Sequence, residues 1–422
     1  MIARGVPVRF RILGLLVFLS FVNYLLRNNL SVMAPSISEE FSFSNAEMGW
    51  ILGSFNLSYA LLQIPGGWFG QRLGPRRALG IIAVSWGVLT WFTGFAPFLM
   101  AASAAGAMVA LVAARFLLGA TNAPTYPVVA ASIESWFPPG HWAFGNAMST
   151  VGVSLGQAAI GPVVTALIVA YGWRESCYVL APVGVFAGLW WYWYARDRPA
   201  DHRAVRPAEA ALIDAGRGAA TSAPGGWRKA MVQRDVLLLA ASYFCMNYVF
   251  YMFAQWLFIY LVDERKFTLL ESGWLYVLPF ATGAVLALAG GLVCDWLCRT
   301  RGARFGCRAT AMTGLLLVAA FMLAGAYAPD PYVAVILLAL CFGFVQSTDG
   351  AFWSATTYVA GANTASATGV LNFGGNLPGL LAPAVGLMVD HLGWLPTIVS
   401  GSFFAVAGAV LWLFVRLDGA ES

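Results

Sequence analysis

Charge is what this sequence has least of. Asp, Glu, Lys and Arg make up 10% of its 422 residues, against roughly 25% in an ordinary soluble domain. So few charges cannot cover the surface of a water-soluble protein of this length. Histidine is scarce too: the three residues, His141, His202 and His391, all fall outside the middle of apolar runs, so imidazole does not readily serve as a proton switch there. The six cysteines (Cys177, Cys245, Cys294, Cys298, Cys307 and Cys341) include no pair at zinc-ligand spacing with a second pair to complete it, and they read as core thiols. The Gly-rich stretch Gly283 to Gly291 lacks a following Lys-Ser/Thr, so no phosphate-cradling loop is present. No nucleophile, base and orienting residue can be assembled, and no metal set. An enzyme is not expected, nor a cofactor.

What the sequence does have is apolar length, with 60% hydrophobic residues in runs such as Ile12 to Val22 and Val333 to Val345 that recur from end to end. The solvent for most of the chain is lipid. Runs of about twenty residues predict spans near 11–33, 47–69, 78–98, 101–132, 143–170, 175–195, 234–262, 271–298, 308–328, 331–358, 364–389 and 394–416. The first run continues into a polar, Arg-bearing segment and not a small-residue cleavage site, so it is expected to be a span and not a leader. One long polar stretch, 196–233, rich in Ala, Arg, Pro and Gly, divides the chain into halves 1–195 and 234–422. The expected fold is an all-α membrane protein of twelve transmembrane helices in two six-helix halves with one solute pathway between them.

The net charge of +5 is explained by its distribution, without nucleic acid as a partner. Arg4, Arg9 and Arg11 precede the first span, Arg72, Arg76 and Arg77 follow the second, Arg and Lys crowd 196–234, and Arg299, Arg301, Arg304 and Arg308 follow the eighth. Glu39, Glu40, Glu47, Asp263, Glu264, Asp330 and Asp390 sit in the loops between. This is the positive-inside pattern, which predicts cytoplasmic termini and linker in an inner membrane. The aromatic run Trp190 to Tyr194 reads as an interfacial belt at the end of the sixth span.

Two segments look alike: GGWFGQRLGPRR (Gly66 to Arg77) and GGLVCDWLCRTRG (Gly290 to Gly302). Each couples small residues, which let helices approach closely, to an Arg cluster at a helix end. A single copy could be a plain anchor; two at matching positions suggest paired gating loops, carried by Arg72, Arg76, Asp295 and Arg299. Asp295 can pair with Arg299 or with an Arg of the other half. The first copy has Gln71 where an acid is expected and lacks one charge of its latch.

At these loops the chain resembles the major facilitator superfamily. RNNLSVMAPSI (Arg27 to Ile37), RFLLGATNAPTYP (Arg115 to Pro127), SWFPPGHWAFGNAM (Ser135 to Met148), ERKFTLLESGWLYVLPF (Glu264 to Phe280) and NFGGNLPGLLAP (Asn372 to Pro383) narrow the resemblance to its anion:cation symporter family, which includes hexuronate, galactonate and glucarate permeases and sialin. The resemblance implies secondary transport of a small organic anion by alternating access.

Ionisable groups inside a bilayer are costly and usually functional, which singles out Arg27, Arg115 and Asp349. Tyr24, Arg27 and Ser31 share one helical face, as do Arg115, Gly119, Asn122 and Tyr126. Two guanidinium forks on one cavity suit a carboxylate; a snorkelling Arg27 or an Arg115 that binds neighbouring backbone carbonyls are the structural alternatives. The resemblance implies that Tyr24 and Arg27 contribute to the substrate site, that Arg115 partners a coupling acid, and that Gln157 and Asn376 align with contact positions. Ser154, Asn247, Tyr251, Gln255 and Asn372 are further polar positions that could bind substrate hydroxyls or a neighbouring helix. Relatives carry Asp before the first-span Arg and Glu seven residues after the fourth-span Arg, where this chain has Leu26 and Asn122. Proton coupling has therefore been lost or moved. Asp349 is the candidate replacement H+ site, unless it faces a vestibule or simply bonds Ser347, Thr348 or Ser354.

Overall fold

A computed structural model describes residues 6–99, 103–138, 141–214, 232–360 and 364–417. Gln233 and 196–214 of the polar stretch lie among them; 215–231 lie outside the described residues. The chain forms two compact units, one of Met1–Phe41 with Ser54–Thr221, the other of Ser42–Gly53 with Ser222–Ser422.

The first unit contains α1 (Val8–Arg27), α2 (Asn29–Phe41), most of α3 (Asn45–Leu99), α4 (Ala104–Asn122), α5 (Thr125–Trp136), α6 (Trp142–Tyr171), α7 (Trp173–Tyr194) and a short α8 (Pro207–Asp214). α6 lies along α1 because Gly152 and Gly156, one turn apart, leave no Cβ where the carbonyl oxygens of Val17 and Phe21 sit; an added Cβ would lie 2.3 and 2.4 Å from them. Small residues at i and i+4 are the usual means of bringing two apolar helices to backbone contact. α8 closes the start of α1: the Glu209 carboxylate accepts the Val8 and Arg9 N–H groups at 3.3 and 3.0 Å, two of the donors every helix start leaves open.

The second unit contains the first turns of α3 and then α9 (Arg234–Asp263), α10 (Leu269–Leu275), α11 (Val277–Arg301), α12 (Ala303–Tyr327), α13 (Pro331–Ala360), α14 (Thr364–Asn376), α15 (Ala382–Leu392) and α16 (Trp394–Leu411). α13 packs along both α11 and α12, and α9 along α14 and α16. A 3-10 turn, Leu377–Leu381, interrupts the eleventh expected span between α14 and α15. The Asp390 carboxylate caps the start of α3, accepting the Asn45 and Ala46 N–H groups at 3.1 and 2.8 Å.

Large apolar side chains point outward on many of these helices, with Leu288, Phe403 and Val285 each about two-thirds exposed or more. In water that would be an aggregating surface; in lipid it is the expected outer face. Ten helices or joined helix pairs among the described residues are long and apolar enough to cross a membrane, fewer than the twelve expected. The first part of α3 and α7 are not in that set; α7 opens with Arg174 and Glu175 and ends in Trp and Tyr, which lower its mean hydropathy.

Helix junctions explain where the expected span limits shift. α3 runs through two expected spans and turns at Gly74. Gly172, Gly302 and Gly393 make the same kind of junction, all four with φ between +74° and +93° and ψ beyond +150°, a region only glycine enters freely. The fourth span is longer than expected and is broken at Ala123–Pro124 between α4 and α5.

Candidate functional site

In the first unit, α1 ends at Arg27 and the chain resumes as α2 at Asn29. The break frees a carbonyl: the Ser31 N–H, which would bond Arg27 O in a continuous helix, goes to Asn28 O at 3.2 Å instead. Arg115 Nη2 on α4 donates to that freed oxygen at 2.7 Å. Arg115 is thus a backbone clamp as well as a charge. Its Nε and Nη1 have no acceptor among the described residues, although the side chain is only 3% exposed. Buried N–H groups of a guanidinium without a partner are a costly arrangement in the absence of a ligand.

The Arg27 side chain is buried in the protein and does not snorkel. Its guanidinium sits 4.7 Å from the ring centroids of Phe55 and Tyr59 and 5.4 Å from that of Tyr24, and Arg115 lies 5.1 Å from the same Phe55 ring. The π faces offset part of the cost of holding two cations together out of water. Neither α1 nor α4 carries an Asp or Glu. In place of a carboxylate at position 122 stands a neutral relay: Tyr126 OH donates to Asn23 Oδ1 at 3.4 Å, Asn23 Nδ2 donates to Asn122 Oδ1, and Asn122 Nδ2 donates to Leu118 O at 3.0 Å. Leu26 is fully buried and packs where Gly184 of α7 leaves room. Gln157 on α6 is 4% exposed with Nε2 unpartnered among the described residues. Ser31, expected on the Arg27 face, lies past the break and bonds Asn28 O at 2.7 Å.

An acid does stand beside the first Gly/Arg segment. Asp197, just after α7, accepts the Arg76 N–H at 2.8 Å, and its carboxylate fills the space beside Gly74 that a Cβ would need. Arg76 Nε bonds Tyr192 O at 2.9 Å, its guanidinium 4.6 Å from the Tyr192 ring centroid. An acid that Gln71 does not supply comes from a segment far along the chain, and it meets the backbone of Arg76, not its guanidinium. Arg72 is exposed. Trp191 is likewise no belt residue, being buried with Nε1 bonded to Pro75 O at 3.3 Å.

In the second unit Asp349 is half-buried on α13, and its Oδ1 accepts from Tyr243 OH at 2.8 Å and Trp353 Nε1 at 3.3 Å. Ser347 and Thr348 are not its partners; they bond the carbonyls of Phe344 and Val345 on their own helix. Tyr243 precedes Asn247, Tyr251 and Gln255 by successive helical turns, a periodicity that could have found it. Tyr251 OH donates to Asn376 Oδ1 at 3.0 Å, and Asn376 Nδ2 to Asn372 O at 2.8 Å. Gly374 and Gly375 allow this approach of α14 to α9. Arg299 Nε meets the main-chain oxygen of Asp295 at 3.2 Å, not its carboxylate; the ion pair seen among the described residues is Glu40 with Arg174.

The sequence model described as the Major Facilitator Superfamily matches residues 16–383. The chain belongs to that superfamily. This superfamily member is 31% identical to a probable sulfoacetate transporter of Cupriavidus necator, over 97% of this chain and 94% of the relative. It is 30% identical to a D-galactonate transporter of Escherichia coli over 94% and 92% of the two chains, and 28% identical to a hexuronate transporter of Bacillus subtilis over 93% and 89%. Its fold matches the crystal structure of a bacterial homolog of the human lysosomal transporter Spinster, with a TM-score of 0.77, 18% identity and 99% of both chains covered.

Proposed function

We propose that this superfamily member is a secondary transporter of a small organic anion, a sugar acid or similar hydroxylated carboxylate, moved by alternating access. The observation that carries the reading is Arg115: a buried guanidinium whose Nε and Nη1 have no acceptor among the described residues, beside a second buried guanidinium, on helices without acids. Open N–H donors on a buried guanidinium are what a carboxylate or sulfonate accepts from. The substrates named for the relatives, sulfoacetate, galactonate and hexuronates, share such an acidic group. Arg27 and Arg115 supply charge, Tyr24 and Gln157 orient the anion, and the amides of Asn372 and Asn376 offer hydroxyl recognition. The chain crosses a bacterial inner membrane twelve times in two six-helix halves, 1–195 and 234–422, joined by 196–233, with the termini and linker in the cytoplasm.

Uptake of a panel of radiolabelled organic acids by proteoliposomes tests the reading. Accumulation of at least one hydroxylated carboxylate or sulfonate is expected; saturable binding without accumulation would make the protein a sensor and overturn it.

Coupling to H+ through Asp349 is part of the proposal, supported by its placement as a carboxylate on an apolar helix held only by neutral donors. Asp349→Asn should then abolish accumulation against a gradient and preserve exchange of labelled for unlabelled substrate, because the amide mimics the protonated acid. A second reading, an uncoupled exchanger, is favoured by the neutral Tyr126, Asn23 and Asn122 relay. Wild-type uptake indifferent to a pH gradient would decide for it, and Leu26→Asp with Asn122→Glu would then be expected to introduce pH-driven uptake.

A further inference from the structure

Three of the six cysteines converge where α11 meets α12. Cys294 and Cys298 stand one turn apart at the end of α11, and Cys307 faces them from α12 across the sharp junction at Gly302. Cys294 Sγ lies 4.0 Å from Cys298 Sγ, and Cys298 Sγ lies 3.7 Å from Cys307 Sγ; all three sulfurs fall within 4.8 Å of one another. Cys294 and Cys307 are buried, whereas Cys298 is half-buried and leaves the cluster an approach from outside. Reading the six as isolated core thiols missed this cluster, because the third member is supplied by a neighbouring helix.

We infer that Cys294, Cys298 and Cys307 form a three-thiolate site for a thiophilic metal ion of the Zn2+ or Cd2+ class. A metal–sulfur bond of about 2.3 Å places thiolates roughly 3.8 Å apart around a tetrahedral ion and roughly 4.0 Å apart around a trigonal one, close to the 4.0 and 3.7 Å from Cys298 to its two neighbours. The sulfurs need little movement to close on an ion. Two further observations favour a site over plain packing. Gly306 is the residue before Cys307, and a Cβ there would lie 2.5 Å from Cys298 Sγ, so the close approach of the sulfurs requires glycine. Thr310, one turn beyond Cys307, keeps an Oγ1 with no hydrogen-bond partner among the described residues, a spare donor for a metal-bound thiolate of the kind that orients ligands. On binding, each thiol releases its proton to solvent as its sulfur ligates, with no change of oxidation state. A divalent ion with three thiolates carries a net charge of −1, and Arg299, Arg301 and Arg304 flank the same junction in sequence.

The test uses the full chain in detergent, reduced and stripped with a chelator, and titrated with Cd2+ while the thiolate-to-metal charge-transfer absorption is followed. One equivalent per chain is expected, displaced by Zn2+. Cys298→Ser and Cys307→Ser should each weaken binding by at least about tenfold, as should Gly306→Ala, which keeps every thiol. Cys341→Ser, whose thiol lies elsewhere on α13, should leave it unchanged. Because the wild-type titration needs no variant, a folding defect cannot hide the result. Absence of a saturable one-equivalent phase, or binding that survives Cys298→Ser, overturns the proposal. So does a Cys298–Cys307 disulfide as the sole chemistry, with no binding after reduction.

Discussion

At the scale of single residues, Arg27 shows why charge alone does not define the site. Its guanidinium is held among the rings of Tyr24, Phe55 and Tyr59, and an ammonium is a point charge that cannot donate as a planar fork. Arg27→Lys is therefore expected to cut initial uptake by at least about tenfold, the equivalent of the roughly 1–2 kcal/mol that a desolvated cation–π contact and one lost bidentate bond represent. Proteoliposome uptake at several substrate concentrations measures it; near-normal rate and affinity would leave Arg27 a structural role only. Asn122→Leu probes the neutral relay. It would leave Asn23 Nδ2 without its acceptor in a fully buried place, and a loss of about 1–3 kcal/mol in stability is expected, read as a lower thermal midpoint in detergent. Arg27, Arg115 and Asp349 were legible because a charge inside an apolar run stands out. Asn23 and Asp197 were not, since what makes them matter is a partner about a hundred residues away; the spacing of Tyr243 to Asn247 and Tyr251 could flag its face but not its bond to Asp349.

At the scale of helices, the contacts that matter are made by what glycine omits. Gly152→Ala would place a methyl 2.3 Å from Val17 O, so α6 must move off α1. Gly14→Ala on α1 meets nothing within 4 Å and serves as its control. The first is expected to lower the thermal midpoint and the second to leave it or raise it, since Ala favours a helix over Gly. Gly393→Ala isolates a different cost. Nothing crowds its Cβ either, yet its φ of +81° is strained for any L side chain, and a penalty of about 1–3 kcal/mol is expected from the backbone alone. An unchanged midpoint for Gly393→Ala would mean the junction simply rearranges. Helix positions were readable from apolar length, and the two Gly/Arg segments that looked alike contain Gly74 and Gly302. The other two junctions had a signal as well: each is a Gly-Trp pair, Gly172 with Trp173 and Gly393 with Trp394, too short to notice without the backbone angles. The breaks after Arg27 and Asn122 each had a local signal, Arg27-Asn28-Asn29 in one and Pro124 in the other, which hydropathy averaged over about twenty residues hides.

At the scale of the whole molecule, orientation is a direct prediction of where Arg and Lys fall. A single cysteine introduced by Ala204→Cys, exposed beside α8, in an otherwise Cys-free chain should react with a membrane-impermeant maleimide only after the inner membrane is opened. Labelling in intact spheroplasts would reverse the topology. The Arg27 and Arg115 pair has one more consequence, which concerns voltage. Guanidinium groups stay ionised, and α1 and α4 carry no acid to neutralise them. On the proposed reading, a bound monoanion lowers the charge of the site by one and a dianion by two. Carrying one elementary charge through the full field costs or releases about 2.3 kcal/mol per 100 mV, so the loaded and empty carriers respond to a membrane potential differently, by an amount set by the valence of the cargo. In proteoliposomes clamped with potassium and valinomycin, the potential that halts net flux at a fixed substrate gradient, measured for a monocarboxylate and for a dianion, would count the charges this protein moves.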